Sequence, residues 1–224
     1  MGALSHPSPN FGKRRGGAAV SLIVLHYTAM ESAQAALERL CDPGAEVSAH
    51  YLIWEDGALC ALVAEDMRAW HAGAGAWGGV EDVNSASIGI ELANDGCSPF
   101  PEAQMVALEA LLDGVMARHR LGPEAVIAHS DMAPGRKTDP GPRFDWRRLA
   151  VGGRAVWPER GEPKRFFEDA VRFGYPREAE DAAVLAAFRS RFRPGAEGPV
   201  DDIDASLAAD LAHRFGVDQR ASTS

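Results

Sequence analysis

Residues 19–26 read Ala-Val-Ser-Leu-Ile-Val-Leu-His, an apolar run that ends in a histidine. Its density of β-branched residues is typical of a strand that is covered on both faces. Two more apolar runs reach an ionisable residue in the same way: residues 87–92 contain Glu91, and residues 124–128 lead directly into His129. Because strands that point the same way present their carboxyl ends at one edge of a sheet, two imidazoles and a carboxylate are expected to meet there.

Helical patterns alternate with these strands. Apolar residues recur at helical spacing over residues 32–40 and again over residues 101–120. Residues 49–54 and 58–63 flank a Glu-Asp-Gly turn and predict a hairpin, since Asp-Gly tolerates the positive φ of a tight turn. The sequence therefore predicts an α/β fold in which a mixed central sheet is flanked by helices.

The composition of the chain changes after Trp157, where residues 158–163 predict a linker. Three segments with helical patterns follow, at residues 163–174, 178–192 and 203–215. We therefore divide the chain into a main domain at residues 18–157 and a small three-helix domain at residues 163–218. Residues 1–17 are rich in Gly and Pro and predict an irregular lead-in.

The overall charge argues against one broad class of function. With 23 Lys and Arg against 32 Asp and Glu, the formal net charge is −9, which disfavours a nucleic-acid binder that relies on its global field. No apolar stretch is long enough for a membrane-spanning helix. The run at residues 19–26 lacks the cleavage site of a secretory signal. We expect a monomeric cytoplasmic protein, with the periplasm as the alternative location.

Cysteine usage indicates which ligands a bound metal would have. The three cysteines show no Cys-x-x-Cys pair, so a metal would take His and carboxylate ligands. His26, His129 and Asp139 form one candidate set, of the kind that leaves an open position on a catalytic zinc ion. His50, His71 and Asp131 compete with them, and spacing alone does not choose among the six.

Six short motifs occur in order along residues 20–150. They are His26-Tyr27-Thr28, Val47-Ser48-Ala49-His50-Tyr51-Leu52-Ile53, Trp70-His71-Ala72-Gly73, Asn84-x-x-Ser87-Ile88-Gly89-Ile90-Glu91, Ala128-His129-Ser130-Asp131 and Ala133-Pro134-Gly135-Arg136-Lys137-Thr138-Asp139-Pro140-Gly141-Pro142. This series resembles the type 2 family of N-acetylmuramoyl-L-alanine amidases, the AmpD- and AmiD-like zinc amidases. The tail is similar to the peptidoglycan-binding appendage of the AmiD-like members.

The resemblance implies a reaction and a set of reacting groups. His26, His129 and Asp139 match the family's ligands for one zinc ion per chain, Glu91 matches its catalytic carboxylate, and Lys137 matches its transition-state lysine. The implied reaction is hydrolysis of the amide bond between N-acetylmuramic or anhydro-N-acetylmuramic acid and L-alanine. The implied partners are therefore peptidoglycan fragments.

The resemblance also implies where the substrate is bound. The candidate substrate-binding residues are Tyr27, His50, Trp70, His71, Asn84 and Arg136. For His50 and His71 the resemblance leaves two roles open, a place behind the metal ligands or a place in the substrate cleft. The Gly-rich loop at residues 70–85 offers Trp70 and Trp77 as stacking faces, and a place in the core is an equally good prediction for both tryptophans.

Two other functions stay open. A related fold is also used to recognise peptidoglycan without catalysis, but a module that only binds usually lacks the third metal ligand, which Asp139 supplies here. A zinc peptidase would use similar groups, yet the chain has no His-Glu-x-x-His helix. The sequence favours the amidase.

Overall fold

The computed structural model describes residues 4–216, so the predicted domain end at residue 218 lies outside the described residues. In chain order its strands are β1 (Leu4–Ser5), β2 (Phe11–Lys13), β3 (Leu22–Tyr27), β4 (Tyr51–Ile53), β5 (Leu59–Ala61), β6 (Met67–Ala69), β7 (Ser87–Leu92) and β8 (Val126–Ala128). The central sheet has the order β1-β5-β4-β7-β3-β8, and β2 pairs with β6 separately.

Helices connect and cover the strands. In chain order they are α1 (Ala33–Cys41), α2 (Val83–Ala86), α3 (Glu102–His119), α4 (His129–Met132), α5 (Trp146–Val151), α6 (Phe166–Phe173), α7 (Asp181–Phe192) and α8 (Asp202–Phe215). Because β3 runs parallel to β7 and β8 while β4 and β5 are antiparallel, the predicted mixed α/β fold is confirmed. Within residues 4–216, no helix combines the length and apolar character needed to cross a membrane.

Strand β3 lies at the centre of the fold, as its sequence predicts. Leu22 and Val24 belong to the apolar core on one face of the sheet, and Ile23 and Leu25 belong to the core on the other face. This alternation follows from the two-residue period of a strand. Both faces are covered, which explains why the run shows no polar alternation.

The hairpin and the first helix also follow from local sequence signals. Across the Glu-Asp-Gly turn, the Trp54 amide donates to the Ala58 carbonyl at 2.9 Å. Helix α1 begins after Ser32, whose hydroxyl accepts from the Ala35 amide at 3.1 Å and so satisfies one of the free donors of the first turn.

The prediction that residues 1–17 are an irregular lead-in is wrong for its described part. Strand β1 extends the central sheet beside β5, and β2 pairs with β6. Arg14, which follows β2, donates to the backbone carbonyls of Glu65, Ser85 and Ser87. Strands of two and three residues are too short to show a hydrophobic period, and their partners lie more than 50 residues away in the chain, so local pattern could not reveal them.

The three C-terminal helices share an apolar core with the sheet. Phe173 and Phe188 from α6 and α7 lie in the same buried cluster as Val24 of β3. Trp77 belongs to this cluster too, and only 1% of its surface is exposed. Its ring packs edge-to-face against Phe173 and Tyr175, with ring centroids 5.2 and 5.1 Å apart. Of the two roles predicted for Trp77, the structure shows the place in the core.

A buried ion pair joins α7 to the short helix that carries His129. Asp131 of α4 accepts from Arg191 at 2.5 Å and from the Tyr175 hydroxyl at 2.7 Å. The Asp131 and Arg191 side chains are 0% and 1% exposed. These contacts use the Asp131 carboxylate away from the candidate metal ligands, so Asp131 is not among the residues that converge on a possible metal site.

We predict that the substitution Arg191→Met lowers the free energy of unfolding by about 3–5 kcal/mol, because it leaves the Asp131 carboxylate buried without its cation. Urea unfolding of the full chain measures this. The matched control is Arg165→Met, which removes a pair with Glu168 whose side chains are 80% and 63% exposed and should leave the free energy of unfolding nearly unchanged. Equal losses in the two variants would contradict the prediction.

Candidate active site

The carboxyl ends of three parallel strands bring the candidate residues together. His26 of β3 lies in register with Glu91 of β7, so their backbones are neighbours in the sheet. His129 directly follows β8 as the first residue of α4. Asp139 comes from the loop beyond α4, and its carbonyl accepts from the Ser130 amide at 3.0 Å, which fastens the loop to that helix.

Three donor atoms of this group face one another. Nδ1 of His26 and Nδ1 of His129 are 2.9 Å apart, and they lie 2.9 and 3.0 Å from Oδ2 of Asp139. All three side chains are buried. Two ligand atoms of a tetrahedral zinc ion are about 3.3 Å apart. The triangle therefore has nearly the size that one zinc ion needs, and within residues 4–216 this is the group of His, Cys, Asp or Glu side chains that could hold a metal.

The charge state of the group suits metal binding. Burial, together with the neighbouring His129, lowers the pKa of His26 to about 4, so its ring is neutral at pH 7. Nε2 of His129 donates to the Ala72 carbonyl at 2.9 Å. Since a neutral imidazole has one N–H, Nδ1 of His129 keeps its lone pair.

Glu91 has a carboxylate oxygen that the protein leaves without a partner. Its Oε2 is buried and has no hydrogen-bond partner among the described residues. Burial and the negative charge of Asp139 raise the pKa of Glu91 to about 8, while Lys137 acts in the opposite direction. A carboxyl with a raised pKa beside an open cleft is the type of group that exchanges protons near neutral pH.

A cleft of about 370 Å³ opens over these residues. Its walls include four residues predicted to bind substrate, namely Tyr27, Trp70, His71 and Arg136, together with Glu91, Lys137 and the three candidate metal ligands. The Tyr27 hydroxyl lies 2.9 Å from Oγ1 of Thr138. Arg136 donates to the Ala72 carbonyl at 2.6 Å, so this guanidinium also holds the loop that forms the opposite wall.

Sequence reasoning missed part of the cleft wall. Met30, Arg39 and Val47 line it as well. Arg39 lies in the last turn of α1, where the sequence shows only an ordinary cation near a helix end. Only the packing of α1 beside the strand ends places this guanidinium at the cleft, and no local pattern signals it.

Two of the predicted substrate-binding residues lie elsewhere. His50 is fully buried, and its Nδ1 accepts from the Gly89 amide at 2.9 Å. Asn84 is also buried, and its Oδ1 accepts from the amides of His71 and Ala72. Neither residue lines the cleft. The structure therefore places both side chains beneath the cleft, where they support its backbone, and does not bring them to the cleft wall.

Comparison with known proteins agrees with this geometry. Residues 16–142 match the family model of N-acetylmuramoyl-L-alanine amidases. The N-acetylmuramoyl-L-alanine amidase AmiD of Escherichia coli is 34% identical over 89% of this chain and 84% of its own length. The 1,6-anhydro-N-acetylmuramyl-L-alanine amidase AmpD of Citrobacter freundii is 35% identical over 64% of this chain and 86% of its own length.

Solved structures are similar over nearly the whole chain. One is Escherichia coli AmiD in complex with the substrate anhydro-N-acetylmuramic acid-L-Ala-D-γ-Glu-L-Lys, with a TM-score of 0.82, 32% identity and coverage of 93% of this chain and 99% of that one. Another is AmpDh3 of Pseudomonas aeruginosa in complex with an anhydromuramic pentapeptide, with a TM-score of 0.79, 31% identity and coverage of 94% and 96%. This chain belongs to the N-acetylmuramoyl-L-alanine amidase family.

Proposed function

We propose that this protein is a zinc-dependent amidase that hydrolyses the bond between N-acetylmuramic or anhydro-N-acetylmuramic acid and L-alanine. The observation that carries the proposal is the triangle of His26 Nδ1, His129 Nδ1 and Asp139 Oδ2, with edges of 2.9–3.0 Å, at the floor of an open cleft. The similar proteins AmiD and AmpD are named as amidases of N-acetylmuramoyl-L-alanine and of its 1,6-anhydro form.

The donor set fits zinc. Two imidazole nitrogens and one carboxylate oxygen are the ligands that a catalytic zinc site uses when it keeps a fourth position for water or substrate. His26, His129 and Asp139 would hold the ion. When bound, the ion would act as a Lewis acid on the amide carbonyl and would lower the pKa of a bound water.

Glu91 is the proton carrier of the proposed reaction. Its partnerless Oε2 accepts a proton from the attacking water and then passes it to the amine of L-alanine as the amide bond breaks. The proton leaves the water as the new C–O bond forms, and it neutralises the departing nitrogen, so Glu91 ends as a carboxylate again. Its raised pKa makes the carboxylate a stronger base for the first transfer, and the nearby Lys137 ammonium, which lowers that pKa, makes the protonated carboxyl a stronger acid for the second.

Lys137 and Arg136 supply positive charge within an acidic protein. Both line the cleft, and the chain as a whole has a formal net charge of −9. The Lys137 ammonium stabilises negative charge that develops on the amide oxygen in the transition state. The Arg136 guanidinium, at the rim, favours a peptide stem that carries carboxylates.

The C-terminal helices would extend the binding surface. We propose that residues 18–157 carry the hydrolysis and that the three-helix part, residues 163–218, contacts polymeric peptidoglycan. A groove of about 600 Å³ lies between the loop at residues 135–142 and α7, and it is lined mainly by small and apolar residues. Lys137 and Thr138 line both this groove and the cleft, so a polymer could continue from one to the other.

Product analysis tests the proposed activity. Incubated with anhydro-N-acetylmuramic acid-L-Ala-D-γ-Glu-L-Lys, the protein should release the free anhydro sugar acid and a tripeptide with a free L-alanine amine, whose summed masses equal the substrate plus one water. Removal of metal by a chelator, or Asp139→Ala, should abolish release. Binding without products would favour the non-catalytic recognition module instead.

We predict that Glu91→Gln lowers kcat by about 10²–10⁴-fold, since an amide of the same shape cannot accept the proton. The variant should still contain one zinc ion per chain, because Glu91 is not a ligand in this account. Metal analysis and steady-state kinetics on the same preparation measure both quantities. Turnover within threefold of the parent protein would remove Glu91 from the role of proton carrier.

A substitution in the groove tests the role proposed for α7. Ala186 is exposed and lines the groove, so Ala186→Trp should fill it and slow the release of peptides from intact sacculi while leaving hydrolysis of the soluble tripeptide substrate unchanged. The control is Val151→Trp, at a position that is 84% exposed and outside the groove. If both substrates slow equally with Ala186→Trp, the groove does not bind polymer.

A further inference from the structure

His71 lies between one of the candidate zinc ligands and a buried serine. Its Nδ1 is 3.0 Å from Nε2 of His26, and its Nε2 is 3.1 Å from Oγ of Ser87. Both ring nitrogens are therefore engaged inside the protein, although the ring also forms part of the cleft wall. A substrate contact through these nitrogens would require the ring to leave both partners.

The Ser87 hydroxyl decides where the His71 proton lies. Its Oγ also contacts the Val83 carbonyl, which can only accept, so the single hydroxyl proton points there. Oγ of Ser87 must then accept from His71, which places the His71 proton on Nε2. Nδ1 of His71 is left with a lone pair that faces His26.

From this chain of contacts we infer that His71, oriented by Ser87, is a positioning residue that fixes His26 as a ligand through Nδ1. With an acceptor at 3.0 Å, Nε2 of His26 must donate. A neutral imidazole has one N–H, so Nδ1 of His26 keeps its lone pair toward His129 and Asp139. The inference rests on the proposed zinc site and assigns roles to two residues beyond its ligands.

The adjacent residue performs the same task for the second histidine. The Ala72 carbonyl accepts from Nε2 of His129 at 2.9 Å and so leaves its Nδ1 unprotonated. The amides of His71 and Ala72 both donate to Oδ1 of Asn84, at 3.0 and 2.9 Å. One dipeptide thus orients both histidine ligands, and one buried amide side chain holds that dipeptide.

The backbone leaves a space for the His71 ring. A Cβ atom on residue 89 would lie 2.4 Å from Cγ of His71, a distance that forces a displacement, so glycine is the residue that lets the ring rest on strand β7. The His71 ring therefore lies in the space left by the missing side chain of Gly89, and it contacts Ser87 through Nε2 and His26 through Nδ1. Asn84, Ser87 and Gly89 all come from the motif that also contains Glu91.

Histidine NMR on the full-length, zinc-loaded, ¹⁵N-labelled protein tests this inference directly. Two-bond ¹H–¹⁵N correlations should show His71 as the Nε2–H form with an unprotonated Nδ1, and His26 with its proton on Nε2 and its metal on Nδ1. A charged His71, or a His71 that carries its proton on Nδ1, would overturn the inference. In Ser87→Ala, the His71 signals should lose this single form.

Zinc affinity, measured by chelator competition, gives an independent result. His71→Leu removes the acceptor and should weaken zinc binding by about 10–100-fold. His71→Asn offers an amide oxygen near the position of Nδ1 and should recover most of that loss, and the exposed His213→Asn is the control. If the parent binds zinc and hydrolyses substrate while His71→Leu binds zinc equally well, the inference fails and the proposed function stands. A parent without zinc would instead defeat the proposed function.

Discussion

The convergence of three electron-pair donors at one point is the constraint on which the rest of the structure depends. His26 and His129 direct Nδ1 atoms at the same oxygen of Asp139, within 3.0 Å, in a buried position. In the proposed hydrogen-bond arrangement each Nε2 donates elsewhere, so the cluster consists of acceptors that face each other. Such a cluster is costly to bury unless a cation lies among them. The metal site therefore depends on strand ends and hydrogen bonds that hold the donors in place.

The packing around the cluster reaches into the C-terminal helices. Asp131, two residues after His129, is held by Arg191 of α7 and by the Tyr175 hydroxyl. Arg191 also donates to the Val126 carbonyl at the start of β8. The sequence predicts the C-terminal helices as a separate domain. In the structure they support strand β8 and helix α4, which together position His129. A change in the tail can therefore alter catalysis through the position of His129 as well as through contact with polymer.

Sequence predicted the parts of the molecule that local patterns encode. The buried run ending at His26, the hairpin at Asp56-Gly57 and the long helix α3 all show their periodicity or turn chemistry within a few residues. The choice among six possible metal ligands did not follow from spacing and needed the family resemblance. Other features depend on contacts between distant segments. These are the pairing of β1 with β5 and of β2 with β6, the place of Arg39 at the cleft, and the internal roles of His50 and Asn84. The sequence therefore indicated which residues could react or bind a metal. Tertiary packing determines which of them face the cleft.

The position of the metal is the most direct test of this account. A crystal of the zinc-loaded protein, measured on both sides of the zinc absorption edge, shows where the ion binds. We expect one anomalous peak among Nδ1 of His26, Nδ1 of His129 and the Asp139 carboxylate, about 2.0–2.2 Å from each ligand atom. A peak on the Nε2 side of either histidine, a peak at His71, or full hydrolytic activity in crystals without any peak would contradict it.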